Sequence, residues 1–476
     1  MCDDKNPKMN SPQWSRRELF RSAALAIGAT TLVPTIWIPK RIFADTLNQW
    51  GAAKHLLILN ADGGLRSPSL FNAKVGLQWN PHVDPMGNNT QPGAKGTKWN
   101  VGAIFSNESI PLPLWGDEEM LPPLPAVSNS ITVLGTVTHE PGAALGDGNH
   151  FSAKRRIATG FLNGEDGLLT RIYQHHPMYQ GKGFDTAFPP VAIGAQARLF
   201  ASAAPGNGVF RPLFFNGPQD FQNKGASAVH IDRPKWALEL EAASDQRFVA
   251  SLSPRDQQIV GLYVTAKAGI DRFRDILKHP MLRLGENPSL EPQLQSNARL
   301  MEVFGNGIWG GRVALAIRMF QLGSPAVVVG AGNYDTHSNE TTELPPIAVD
   351  LGRQLAALRY VLPKLPHPSG GTYWDHTVIS VVSEFSRDNV ELTTGLNSAN
   401  GSDHRGAQSR MQALPFMGGP ISGGGFYGET SPQTMEPIDN DDVFHSQGVL
   451  AALLQSIGVP TVDFFPENPV PQIFGG

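Results

Sequence analysis

Short, nearly unbroken apolar runs recur along the chain, and each stops at polar residues. Residues 55–60 (HLLILN), 131–137, 326–329, 377–382 and 412–417 are of this kind. Such runs lack the alternation of a half-wet strand and are short for helices. They predict strands buried on both faces of a parallel sheet. Between and beside them, residues 151–159, 254–278, 297–322, 347–362 and 441–457 have helical spacing. In the last of these Asp441 and Asp442 stand at the N-terminus, where they suit the helix dipole. Strands alternating with helices predict an α/β protein with a mostly parallel sheet covered on both faces.

Composition narrows the reading further. With 41% hydrophobic and 17% charged residues the chain is too apolar to be disordered, and it lacks the long apolar runs of a polytopic membrane protein. A net charge of −4 with no basic block argues against nucleic acid as the main partner. The 50 glycines and 39 prolines call for long ordered loops. Residues 75–129, rich in Pro, Gly and Asn, and the irregular stretch 185–236 read as loop insertions in one domain over 45–476.

Residues 1–44 read as a cleaved export signal, with an uncleaved membrane anchor as the alternative. Ser15-Arg16-Arg17-Glu18-Leu19-Phe20 is a twin-arginine pattern, followed by an apolar stretch broken at Pro34 and by Ile42-Phe43-Ala44, a cleavage site. The expectation is a soluble periplasmic or secreted protein, carried folded by the Tat translocase. Seven basic and three acidic groups lie in residues 1–44, so the remainder is more acidic than the whole chain. The only cysteine, Cys2, lies there too, so the mature chain has no disulfide, thiolate metal site or cysteine nucleophile.

Polar clusters fall where strands end. Asp62 follows the first, Asp335-Thr336-His337 the third, and Glu384-Phe385-Ser386-Arg387 the fourth, while Asp403-His404 precedes the fifth. In open parallel sheets ligands bind beyond the carboxyl ends of the strands. Carboxylates and imidazoles gathered there are what a divalent metal needs. Taken singly, each piece is as readily a helix cap, a turn former or a solvated side chain; their shared edge gives them weight. Asp375-His376 opens the fourth strand and therefore lies at the opposite edge, where a structural role is expected.

These pieces resemble a family of Tat-exported bacterial proteins, the domain of unknown function 1501 family. The resemblance rests on the leader, Asp62-Gly63-Gly64, Gly148-Asn149-His150-Phe151, Tyr334-Asp335-Thr336-His337-Ser338-Asn339, Val382-Ser383-Glu384-Phe385-Ser386-Arg387, Ser402-Asp403-His404-Arg405-Gly406 and the Gly-rich stretch 417–428. Ser386 departs from the family, which usually has Gly there. The family is similar to the alkaline phosphatase and sulfatase superfamily, which implies a three-layer α/β/α sandwich and two divalent ions (zinc, manganese, calcium or iron). The implied ligands are Asp62, Asp335, His337, Glu384, Asp403 and His404. One split puts Asp335, His337 and His404 on one ion and Asp62 and Glu384 on the other, with Asp403 on either or orienting His404. Phe385 stands where the superfamily usually has His.

The superfamily opens a helix with a hydroxyl nucleophile ten residues before the Gly of a Thr-Gly pair. Counting back from Thr159-Gly160 gives His150. His150 is open to three readings: a metal ligand, a nucleophile, or the mark of a site without hydrolytic activity. Lys154, Arg155 and Arg387 are candidate anion clamps, although Lys154-Arg155-Arg156 also reads as a solvated helix face. His139 and Asp147 are candidate supporting residues, and His175, His176 and His230 packing or surface residues. The resemblance implies an exported metal-dependent hydrolase of phosphate or sulfate esters, with a small-molecule or glycan ester as substrate. A non-catalytic metal protein binding a glycan or cell-surface partner is the alternative, and a metal-dependent isomerase or mutase a weaker third.

Overall fold

The computed structural model describes residues 51–71, 105, 108–140, 149–180, 188–207, 210–221, 235–254, 256–257, 279–332, 334–337, 340–387, 404, 407–431, 437–439, 443–462 and 464–474. The leader, most of the expected 254–278 helix, Asp147, His230, Asp403, Asp441 and Asp442 lie outside the described residues.

In chain order the strands are β1 (His55–Ala61), β2 (Ile110–Pro111), β3 (Met120–Leu121), β4 (Ile131–Thr138), β5 (Val191–Ile193) and β6 (Leu213–Phe215). They continue with β7 (Ala326–Ala331), β8 (Thr377–Val382), β9 (Gln412–Met417), β10 (Phe426–Tyr427) and β11 (Phe444–His445). Among the described residues, β2 and β3 form a small antiparallel pair. The others make a nine-stranded sheet in the order β10-β4-β9-β8-β1-β7-β5-β6, with β11 also on β4. β1 is buried at every position and pairs in parallel with β7 and β8. Among the described residues of this sheet, only β9 runs against its neighbours. Its reversed direction brings the residues before it to the edge where the parallel strands end.

Successive residues of β1 serve opposite faces, as the strand period requires. Leu57, Leu59 and Ala61 join the core under the helices Asn297–Phe304, Gly310–Gln321 and Glu340–Val361. Leu56 and Ile58 join the core under His150–Thr159, Leu168–His175 and Ser446–Ser456. The three-layer sandwich is therefore the observed α/β architecture. No helix among the described residues is long and apolar enough to cross a membrane.

Several boundaries differ from the sequence reading. The stretch 185–236 is not wholly loop, because β5 and β6 extend the sheet beyond β7. The apolar stretch 297–322 is two helices, parted after Gly305, whose φ of 74° is left-handed. The helix expected at 347–362 begins earlier, at Glu340, and carries Pro345 and Pro346 within it. The closing helix begins at Ser446 rather than residue 441, because Phe444 and His445 are drawn onto β4 as a strand. His445 caps that helix, its Nδ1 accepting from the Gln447 N–H at 3.0 Å.

Candidate metal centre

Three imidazoles meet at the carboxyl edge of the sheet. His150 opens the helix after β4, His337 lies in the loop after β7, and His404 lies before β9. One nitrogen from each can be chosen so that all three lie within 4.8 Å of one another. The ring centres of His150 and His337 stand 4.7 and 5.3 Å from that of His404. Phe385 stacks on His404 and leans on His150, at 4.8 Å from each. It is a wall of the cluster, where the superfamily resemblance implies a further imidazole.

The hydrogen bonds show which nitrogens are engaged. Glu384 is fully buried, and a carboxylate only accepts. His150 Nδ1 therefore donates to Glu384 Oε1 at 2.9 Å, and its buried Nε2, with no hydrogen bond, stands 3.5 Å from Asp335 Oδ1. His337 Nε2 lies 2.8 Å from Asp335 Oδ1, and its buried Nδ1 likewise has no hydrogen-bond partner. A carboxylate holding one ring nitrogen while the other makes no hydrogen bond is how proteins orient imidazole toward a metal. His337 also has a φ of 36°, a left-handed conformation rare outside Gly. Backbone strain of this kind concentrates at functional sites. The donor set suits a divalent ion that accepts nitrogen and oxygen ligands.

Glu384 is held in turn by the first loop. The Gly63 N–H donates to both of its oxygens, at 2.9 and 3.0 Å. Gly63 has a φ of 118°, and a Cβ there would stand 2.4 Å from the Asp335 backbone nitrogen. Only glycine lets the β1 and β7 loops approach so closely. Behind the site, His139 Nε2 donates to the Glu384 carbonyl at 2.5 Å, and Ser446 Oγ lies 2.9 Å from His139 Nδ1.

The cations are already engaged. Lys154 Nζ donates to Asp62 Oδ2 at 2.9 Å and stands 3.9 Å from Glu384 Oε1. Burial, and next the Glu384 charge, push the Asp62 carboxyl above its usual range, against the pull of Lys154. Burial lowers the Lys154 pKa, but the Glu384 and Asp62 carboxylates outweigh it and hold the ammonium above its ordinary value. The buried Arg387 guanidinium donates to the Gly64 carbonyl at 3.0 Å, to the Gly63 carbonyl, and to Asp335 Oδ1 at 2.6 Å. Burial pushes Asp335 up, yet the Arg387 hydrogen bond and charge prevail and hold that carboxyl below its usual range.

Of the residues singled out from the sequence, Asp62, His150, Lys154, Asp335, His337, Glu384, Arg387 and His404 share this edge. Arg387 is spent on loop carbonyls and Asp335. Arg155 turns to the Gly164 carbonyl and the Phe151 ring, and Arg156 to Glu140. His175 stacks on Phe464. At the opposite edge Asp375 accepts from Thr372 and His376 donates to the Gly370 carbonyl, as a structural role requires. Asn60 and Gln196 were not singled out, yet both border the site. The one signal was a polar side chain at position 60, directly after the apolar run 56–59.

The fold and the site together define an α/β protein with a histidine and carboxylate cluster at the carboxyl edge of its sheet. Residues 284–468 match the family described as protein of unknown function (DUF1501), the resemblance drawn from the motifs. No curated protein matches the chain. Among solved structures, Ps i-CgsB is similar at 9% identity over 87% of this chain and 75% of that one, with a TM-score of 0.32. The lipoteichoic acid synthase LtaP from Listeria monocytogenes is similar at 11% identity over 90% and 76%, with a TM-score of 0.31.

Proposed function

We propose that the protein is a metal-dependent hydrolase of phosphate or sulfate esters that works outside the cytoplasm after twin-arginine export. The observation that carries this is the His150, His337 and His404 cluster, in which a buried nitrogen of His150 and one of His337 make no hydrogen bond. His150, His337 and His404 would hold the ion, with Asp335 as the nearest carboxylate. A bound divalent ion supplies Lewis acidity at an ester oxygen and a more acidic water.

The rest falls to the chain itself. Glu384 sets the His150 tautomer, and Asp335 does the same for His337. Lys154 is the cation that an anionic ester meets beside the cluster, since it lines the adjoining cavity with Asp62. The second ion expected on Asp62 and Glu384 has a counterpart here in the Lys154 ammonium, which pairs with Asp62 and stands 3.9 Å from Glu384. One ion per chain is therefore the stoichiometry these residues favour.

A second reading rests on one observation. The first helical position holds His150, and its imidazole is already committed to Glu384. That favours a non-catalytic metal protein binding a glycan or cell-surface partner. The deciding experiment is to purify the chain without chelators, count metals by elemental mass spectrometry, and screen aryl phosphates and sulfates. The hydrolase reading expects about one ion per chain and turnover, both lost in His337→Ala. Bound metal without turnover of any ester would hand the site to the second reading. A folded protein that takes up no metal would sink both.

A further inference from the structure

Residues 63–67 follow β1 and bond, one after another, to the segments around the cluster. The Gly63 N–H holds Glu384, and the Gly63 and Gly64 carbonyls accept from Arg387. The Leu65 N–H donates to Ser383 Oγ at 2.8 Å, and that hydroxyl donates to the Ala61 carbonyl at 2.7 Å. Ser67 Oγ accepts from the Ala413 N–H at 2.9 Å, which ties in the start of β9. Between them, Arg66 pairs with Glu340, the first residue of the helix Glu340–Val361.

This pair is buried, with Arg66 2% and Glu340 1% exposed. Taking two charges out of water often costs more than their attraction returns, and an apolar pair of similar volume is commonly as stable. Stability is therefore a weak reason for the pair, and geometry a better one. Arg66 Nε and an Nη both reach Glu340 Oε2, so the planar guanidinium fixes direction as well as distance. His337 stands three residues before Glu340 and holds its left-handed φ of 36°. Such strain persists only where the surroundings over-determine it. Two guanidiniums do so here. Arg387, seated on the carbonyls of the loop after β1, holds Asp335 on one side of His337. Arg66, a member of that same loop, holds Glu340 on the other.

We propose that Arg66 and Glu340 are positioning residues, whose buried ion pair clamps the far end of the His337 loop to the loop after β1 and so sets the affinity of the imidazole cluster for its ion. This rests on the metal-binding part of the reading above and not on hydrolysis. Neither residue belongs to the cluster, so each acts through His337. A ligand held in place before the ion arrives binds it more tightly than one that must be ordered by it, because the ordering cost is already met by the fold.

The test uses the full mature chain with zinc, and with manganese in a parallel set. Chelator competition reads affinity, and urea unfolding of the metal-free protein reads stability. The first variant, Arg66→Met with Glu340→Leu, replaces both charges by apolar side chains and should unfold at a urea concentration close to that of the parent. The second, Arg66→Lys, keeps the charge but loses the planar fork. In both, affinity should fall about tenfold or more. Arg318→Met is the control. It removes an equally buried guanidinium, bonded to Asn297 at 2.7 Å in another part of the fold, and should lower stability while leaving affinity unchanged. Affinity that simply follows stability across the three variants overturns the proposal, as does an unchanged affinity in either of the first two. If the double variant does not fold, Arg66→Lys and Arg318→Met decide. Affinity that falls as expected while no aryl phosphate or sulfate is turned over keeps the clamp and removes the hydrolase. Turnover with affinity unchanged in the variants keeps the hydrolase and removes the clamp. A folded parent that takes up neither ion overturns both.

Discussion

At the scale of single residues, the centre depends on side chains forced into roles their own backbone or burial disfavours. His337 holds a left-handed φ of 36° to present its ring. A strain of this kind costs on the order of 1 kcal/mol or more outside Gly. His337→Gly should therefore raise metal-free stability by up to about 1 kcal/mol in urea unfolding while bound metal is lost. A variant that is no more stable would mean that the loop relaxes without cost. Glu384 acts one bond further back. It fixes the His150 tautomer and receives the Gly63 N–H. Glu384→Gln keeps the size but removes the charge that makes His150 a good ligand. Metal affinity, read by chelator competition, should drop roughly 10- to 100-fold. An unchanged affinity would detach Glu384 from the site.

At the scale of elements, the site was legible because a strand end is a predictable place. β1, β7, β8 and β9 are buried on both faces, so they are written as unbroken apolar runs, and the clusters after or before them could be placed at one edge. β5, β6, β10 and β11 have only two or three residues each and leave no such run. The two prolines hid the true start of the Glu340–Val361 helix, since proline normally marks a boundary. Hydrogen-bond direction was not legible at all. Lys154 on Asp62, Arg387 on the glycine carbonyls, and Gln196 over Asn60 join positions 92, 323 and 136 residues apart, and no local pattern encodes them. The hidden start of the Glu340 helix also matters energetically. Glu340 accepts from Arg66 Nε at 2.5 Å, with both side chains almost wholly buried. The pair ties the loop after β1 to that helix. Glu340→Ala should cost roughly 3 kcal/mol in urea unfolding, because a buried guanidinium loses its carboxylate. A loss under about 1 kcal/mol would place the bond among weak surface pairs.

At the scale of the whole molecule, the two edges of the sheet do different work. The carboxyl edge gathers imidazoles and carboxylates. The opposite edge gathers histidines that must stay neutral. His55 Nδ1 donates to the Ser324 carbonyl at 2.9 Å, so its Nε2 is the acceptor facing His367 Nε2 at 3.1 Å. His367 Nδ1 in turn accepts from the Ser369 N–H. Burial first, and then the neighbouring His367, His376 and His176, lower the His55 pKa to about 3. Burial, with Lys54 adding to it, lowers His176 to about 4. The unfolded chain binds these protons at its ordinary histidine value of about 6.5 and the folded chain does not. Between that value and the folded values the unfolded state carries more protons, so stability rises with pH and is lost as pH falls. Each histidine can remove up to about 1.4 kcal/mol per pH unit across its window. His55→Phe keeps the ring that packs on Phe320 and Tyr373 but cannot titrate. Urea unfolding at pH 7.0, 6.0 and 5.0 should therefore show a shallower fall in the variant than in the parent. The two slopes should differ by about 1 kcal/mol per unit. Parallel slopes would mean that His55 is protonated in the folded protein, and the hydrogen-bond chain at that edge would then have to run the other way.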